Sequence, residues 1–186
     1  VFPLDIVILP EETVALHLFE PRYRELFSDH KNGKEFVILY QNKGDNSKVG
    51  TLVTIDQVVN EVPDGTVDII VTGVQGVEIV NFEKLFPNKL YSGVEVKRLN
   101  LLKNANEKLI SEFEKYLVSI QKYHANKLPL GLYYIANRLK LPYNRKSELL
   151  SISSEKQANN FLLNEIKFFR NIREQEALLN HNFHLN

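Results

Sequence analysis

Cysteine, methionine and tryptophan are absent from the 186 residues. Without cysteine there is no disulfide, no zinc–thiolate site and no thiol nucleophile. A reducing compartment suits such a chain, and the cytoplasm is the expected location. Excess charge of one sign is also missing, since 23 Lys and Arg balance 23 Asp and Glu. A broad nucleic-acid face needs a surplus of cations against the phosphates, and nothing denser than Arg22–Arg24 or Lys97–Arg98 occurs. No nucleic-acid partner is therefore expected. No apolar run approaches the roughly 20 residues that cross a bilayer, so no membrane association is expected either. The eight glycines never take the G-x-x-x-x-G-K-[ST] spacing of a phosphate cradle, and no G-x-S-x-G elbow is present. The first residue is Val1, from which a trimmed chain is expected.

What is present is ordinary for a soluble globular protein, at 44% hydrophobic and 25% charged residues. The length suits one good-sized domain or two small ones sharing a core. Hydrophobic periodicity divides the chain near residue 99. Before it, short strands are predicted: Leu4 to Leu9, then Val14, Leu16 and Leu18 alternating with Ala15, His17 and Phe19, then Phe36 to Tyr40. Val49 to Val62 follows the turn cluster 43–47 and is long enough to bend or bulge. Pro63-Asp64-Gly65 is a reverse turn. Val67 to Val74 and Val77 to Phe82 read as two strands broken at Gln75-Gly76, and Tyr91 to Lys97 closes the series. One short helix is expected from Pro21, suited to a first helical position, to about His30, with Gly33 as its stop.

After Asn100 the period is helical. Leu109, Phe113, Tyr116, Leu117, Ile120 and Tyr123 form one stripe. A second helix opens at Pro129 and ends at Pro142; a third spans Asn144 to Leu150. Ser154-Glu-Lys-Gln157 is a capping box for a long fourth, with Phe161, Leu162, Ile166, Phe169 and Ile172 inward. The expected domains are thus residues 1–99 and residues 100–186.

Chemistry-bearing clusters are few. Ser153 and Ser154 precede Lys156 but stand where a helix needs its cap. His181 and His184 share a metal-like spacing without a carboxylate partner, and Glu11-Glu12 reads as a solvated turn. His17 and His124 read as isolated polar groups. No catalytic residue, metal ligand or cofactor is assigned.

One set of residues carries more information. Phe2-Pro3-Leu4, Ile8-Leu9-Pro10 and Leu16-His-Leu-Phe-Glu-Pro-Arg-Tyr23 closely resemble the opening of the Lon protease N-terminal domain family. Val49-Gly50-Thr51 and Pro63-Asp64-Gly65-Thr66 leading to Gly73 follow the same order of signals. So do Pro129-Leu130, Ile135-Ala136-Asn-Arg-Leu139 and Ser147-Glu-Leu-Leu150 before a long last helix. The resemblance spans nearly the whole chain and implies an α+β fold: a PUA-like antiparallel β pseudobarrel with one short helix, followed by a helical bundle. It implies a non-enzymatic module that captures unfolded or extended polypeptide, without the ATPase or protease domains. A stand-alone relative is expected, because Asn180 to Asn186 reads as a chain tail. One departure stands out: Gln75-Gly76 occupies the place where the family pattern has an Arg. The alternatives are an RNA-binding PUA-like barrel and, less favoured, a peptidase-associated hydrolase. Self-association through the helical half is left open.

Candidate binding residues follow from two stretches. Glu20, Arg22 and Tyr23 lie in the family-like motif, where Arg22 either forms a structural ion pair or touches bound polypeptide. Phe82, Leu85 and Phe86 are apolar side chains in a turn-like stretch, which either face solvent or fold back on the barrel.

Overall fold

The computed structural model describes residues 1–42, 45–120 and 130–183, with only the backbone for 42, 45–47 and 177–183. Tyr123, His124 and Pro129, and the side chains of His181 and His184, lie outside the described residues. So does the run 180–186 beyond its helical backbone, which reaches Phe183.

The described residues form two compact units that do not follow chain order. One comprises Val1–Leu101 with Leu141–Ser151; the other comprises Leu102–Lys140 with Ile152–Asn186. The 141–151 stretch, expected in the helical half, thus belongs with the strands.

In the first unit, β1 (Phe2–Leu4), β2 (Thr13–Leu18), β3 (Phe36–Asn42), β4 (Asp45–Glu61) and β5 (Val67–Glu83) form a sheet in the order β1-β3-β4-β5-β2. The sixth strand, β6 (Gly93–Arg98), also pairs with β5. All pairings are antiparallel except β1 with β3, which is parallel; the wholly antiparallel sheet expected from the sequence is therefore mixed. Chain reversal is absent between β1 and β3 because α1 (Pro21–His30) and β2 intervene.

Several strand expectations change, among them the start of β4, which lies at Asp45 inside the predicted turn cluster. The run Leu4–Leu9 is a strand only to Leu4. Val7, Ile8 and Leu9 are buried, but their backbone turns away to meet Glu12, whose carboxylate accepts the Leu9 N–H at 2.8 Å. The break at Gln75-Gly76 does not exist, because β5 runs unbroken through both. One edge of β5 pairs with β4. The other takes β2 over 67–72 and β6 over 77–83, end to end. At the junction Gly73 donates to Glu12 O and accepts from Glu11 N–H. A Cβ on Gly73 would stand 2.1 Å from Leu9 O, so only glycine admits the crossing backbone. Gly76 lets Leu150 of α4 (Tyr143–Ser151) lie on the strand, with 3.1 Å left for a Cβ. These glycines mark close approach, not a turn. Three register shifts between β4 and β5 bend the long pair.

Both faces of the sheet are covered. Phe36, Ile38, Val53, Ile69 and Val71 share a core with Leu18, Tyr23, Leu26 and Phe27. The alternate residues Val37, Leu39, Leu52 and Val77 form a second. The predicted turn at Pro63-Asp64-Gly65 is present, with Gly65 at φ 86°. Helix α1 has its predicted bounds, and Gly33 beyond it has φ 79°. Tyr91 lies outside β6, buried, with its hydroxyl on Asp29 at 2.7 Å.

In the second unit, α2 (Glu107–Ser119), α3 (Leu132–Leu139) and α5 (Glu155–Phe183) pack around Leu109, Phe113, Ile135, Leu162 and Ile166. Ser154 caps α5 through the Gln157 N–H as predicted. Phe169 is half-buried, whereas Ile172 is exposed, not inward. Glu155 accepts from the Lys103 and Asn104 backbone, tying the approach to α2 onto α5.

One polar contact inside the first unit joins residues 134 apart. The Lys146 ammonium of α4, only 6% exposed, reaches the Glu12 carboxylate and Val7 O. Removing one partner of a buried pair leaves an uncompensated charge, whereas replacing both removes the desolvation cost as well. Lys146→Met leaves the partly exposed Glu12 carboxylate unpaired and is expected to cost about 2 kcal/mol in urea unfolding, below the range for a fully buried pair. The double variant Glu12→Gln/Lys146→Met should recover most of that loss. A Lys146→Met cost below about 1 kcal/mol would show the pair to be incidental.

Candidate functional site

The turn from β2 into α1 places four residues of the motif Phe19-Glu-Pro-Arg-Tyr23 on one cleft. Leu18 ends the inward phase of β2, so Phe19 falls on the outward phase and stands 62% exposed. Pro21 takes the first helical position, where a missing N–H costs nothing. Glu20 is the N-cap residue, but its side chain caps no N–H. Its carboxylate instead accepts from Arg22 Nε and Nη2, both at 2.9 Å. The helix-dipole role that its position suggests is thus secondary to an ion pair. The Arg22 guanidinium lies 4.5 Å from the Tyr23 ring centre. Tyr23 itself is buried and packs on Phe2, centroids 4.0 Å apart. Burial raises its phenol pKa, with Arg22 opposing.

The cleft encloses about 860 Å³, within the range of ordinary ligand clefts. Its lining includes the buried rings of Phe2 and Tyr23 with Pro3 and Leu4 of β1. It also includes exposed apolar side chains: Phe82 at 39%, Leu85 at 65% and Leu90 at 59%. Polar groups at its margin are Glu20, Arg22, Lys84, Ser92 and Gln41, with His17, whose Nδ1 stands 2.6 Å from Asp68 Oδ1. Five of the six candidate binding residues therefore line one cleft: Glu20, Arg22, Tyr23, Phe82 and Leu85. Phe86 does not. Its ring folds back, parallel to Tyr91 at 6.3 Å and close above Gly93. Phe19 and Leu90 were missed by sequence reasoning. A signal for Phe19 existed, namely an aromatic side chain on the polar phase of an alternating strand.

Gln75, which with Gly76 stands where the resemblance led to the expectation of an Arg, donates its amide to Leu99 O at 2.6 Å. Arg98 of the neighbouring strand donates to Gln75 Oε1 and also pairs with Glu35. A guanidinium is thus present beside this position, supplied by β6. Among the described residues no group of three His, Asp or Glu could hold a metal ion. No helix among them is long and apolar enough to cross a membrane.

A bent six-stranded sheet with helices defines an α+β fold, with a solvent-open cleft at the start of its first helix. The family model for the substrate-binding domain of the ATP-dependent protease La (Lon) matches residues 1–180, and the chain belongs to that family. Two solved structures agree in fold. A Lon N-terminal domain protein from Xanthomonas campestris is 21% identical with a TM-score of 0.67, covering 87% of this chain and 94% of its own. The N-terminal domain of a Mycobacterium avium complex Lon protease is 18% identical with a TM-score of 0.66, covering 90% and 97%. Curated proteins yield no match.

Two consequences are measurable. Glu20 and Arg22 are both well exposed, and exposed pairs contribute little. Arg22→Ala is expected to lower stability by less than about 1 kcal/mol; a larger loss in urea unfolding would make Arg22 a structural residue. His30, at the end of α1, lies against the Phe36 and Tyr91 rings. Its Nδ1–H donates to Leu26 O at 2.8 Å. Burial lowers its pKa below 6.5, partly offset by that bond. The unfolded chain therefore takes up the proton first. Stability from neutral His30 is complete above pH 6.5 and is lost as pH falls through the folded value. His30→Gln should flatten the melting temperature over that acidic interval, as read by differential scanning fluorimetry.

Proposed function

We propose that the chain is a non-enzymatic module that binds unfolded or extended polypeptide segments through the cleft at the start of α1. The observation that carries this is that four exposed apolar side chains, Phe19, Phe82, Leu85 and Leu90, line one cleft together with the buried rings of Phe2 and Tyr23. Large apolar side chains held in solvent are costly unless a partner covers them. Membership in a substrate-binding family of a protease supports the same reading. Bound chain of many sequences is accepted where contact is apolar and shape is shallow. Arg22 is already neutralised by Glu20, which leaves the cleft little cationic surplus for an RNA backbone.

The test uses fluorescein-labelled, reduced and carboxymethylated lactalbumin as an unfolded probe, with fluorescence anisotropy as the readout. Leu85→Asp and Phe19→Ser should each weaken binding about tenfold, as loss of an apolar anchor does. Their melting temperatures should stay within about 2 °C of the parent, because both side chains are exposed. Absence of wild-type binding above that of a folded, soluble control protein would overturn the reading.

A further inference from the structure

Resting on that reading, the geometry points to Glu25 and Asp29 of α1, with Lys89, as positioning residues that hold part of the cleft lining in place. The segment between β5 and β6, residues 84–92, carries Leu85 and Leu90, two of the exposed apolar side chains of that lining. It has no ladder of its own. A few internal bonds shape it: Phe86 N–H to Tyr91 O, Lys89 N–H to Phe86 O and Ser92 Oγ to Lys84 O. One longer tie runs to the first residue, whose ammonium donates to Ser92 O at 2.7 Å; those at residues 89–91 run to one face of α1. The Glu25 carboxylate accepts the Leu90 N–H at 2.8 Å and lies 3.6 Å from Lys89 Nζ. Asp29, one turn further along, pairs with Lys89 Nζ at 2.6 Å and accepts the Tyr91 hydroxyl at 2.7 Å. Spacing of four residues puts both carboxylates on the same helix face. The bond to Lys89 holds the Asp29 carboxyl below the usual range, and burial followed by the Asp29 bond raises the Tyr91 phenol. None of the three latch side chains lines the cleft.

The same helix thus presents Arg22 and Tyr23 to the cleft and Glu25 and Asp29 to the loop that supplies Leu85 and Leu90 to its lining. A lining ordered before the partner arrives spares the entropy of ordering it on binding. Latch strength should therefore set affinity without touching the bound chain.

The experiment compares Lys89→Met, Glu25→Ala and the conservative Lys89→Arg. Amide hydrogen exchange and affinity for the labelled lactalbumin probe are read on each variant. Exchange at the Phe86 and Leu90 amides should accelerate about tenfold in the first two, while the Val71 amide in the core stays unchanged. Their Kd for the probe should rise about tenfold, and Lys89→Arg should remain within about twofold of the parent in both measurements. Faster loop exchange with unchanged Kd overturns the positioning role, as does unchanged loop exchange. If a variant also loosens Val71, Asp29→Asn is read in its place by the same criteria. A parent chain that fails to bind the probe overturns the binding reading itself, a result distinct from either of these.

Discussion

The contact between Glu12 and the buried Lys146 is the constraint on which the architecture of the first unit turns. One carboxylate oxygen accepts the Leu9 N–H, while the other meets the ammonium of α4. The segment 7–12 is thereby held across β5 at Gly73, where backbone stands too close for any side chain. Its Ile8 carbonyl accepts the buried Thr51 hydroxyl at 2.6 Å, adding a tie to β4. The helix α4 is drawn onto the sheet beside Gly76. A charge pair of this kind is a poor source of net stability but a strong specifier of geometry, since misplacing either partner leaves a buried charge. It explains why residues 141–151 leave the helical stretch of sequence to complete the strand unit.

Helix α1 supplies the second organising element. Tyr23, Leu26 and Phe27 anchor one side in the core. Arg22 faces the cleft, Glu25 and Asp29 face the loop that bounds it, and Arg24 donates to the Asp64 carbonyl of the turn between β4 and β5. The short connection from β2 to Pro21 leaves the helix little freedom. Placement of Leu85 and Leu90 follows from the same helix through Glu25 and Asp29, so the cleft is shaped by contacts that lie outside it.

Several features were legible along the chain because they depend on neighbours in sequence. The reverse turn at Gly65, the alternation of β2, the bounds of α1 and the Ser154 cap are of this kind. The family-like motif around Phe19-Glu-Pro-Arg-Tyr23 was legible too, and it contains four residues of the cleft. Gln75-Gly76 was misleading, since a glycine that admits a packed Leu150 looks in sequence like one that makes a turn. Leu4–Leu9 was misleading in the opposite sense. An apolar run is buried whether or not its backbone joins a ladder, and burial alone drives the pattern. Phe86 and Leu85 are adjacent and equally apolar, yet one stacks on Tyr91 and the other faces the cleft.

By itself, then, the sequence determined the class of fold, the turn and cap positions and the kinship, because periodicity and local backbone preference act over a few residues. Only the tertiary structure decided that β1 runs parallel to β3, that α4 belongs to the strand unit, and that Leu90 joins Phe19 across one cleft. Those outcomes rest on pairings between residues tens to more than a hundred positions apart. Their selection follows from burial and charge compensation in three dimensions, which leave no period in the chain.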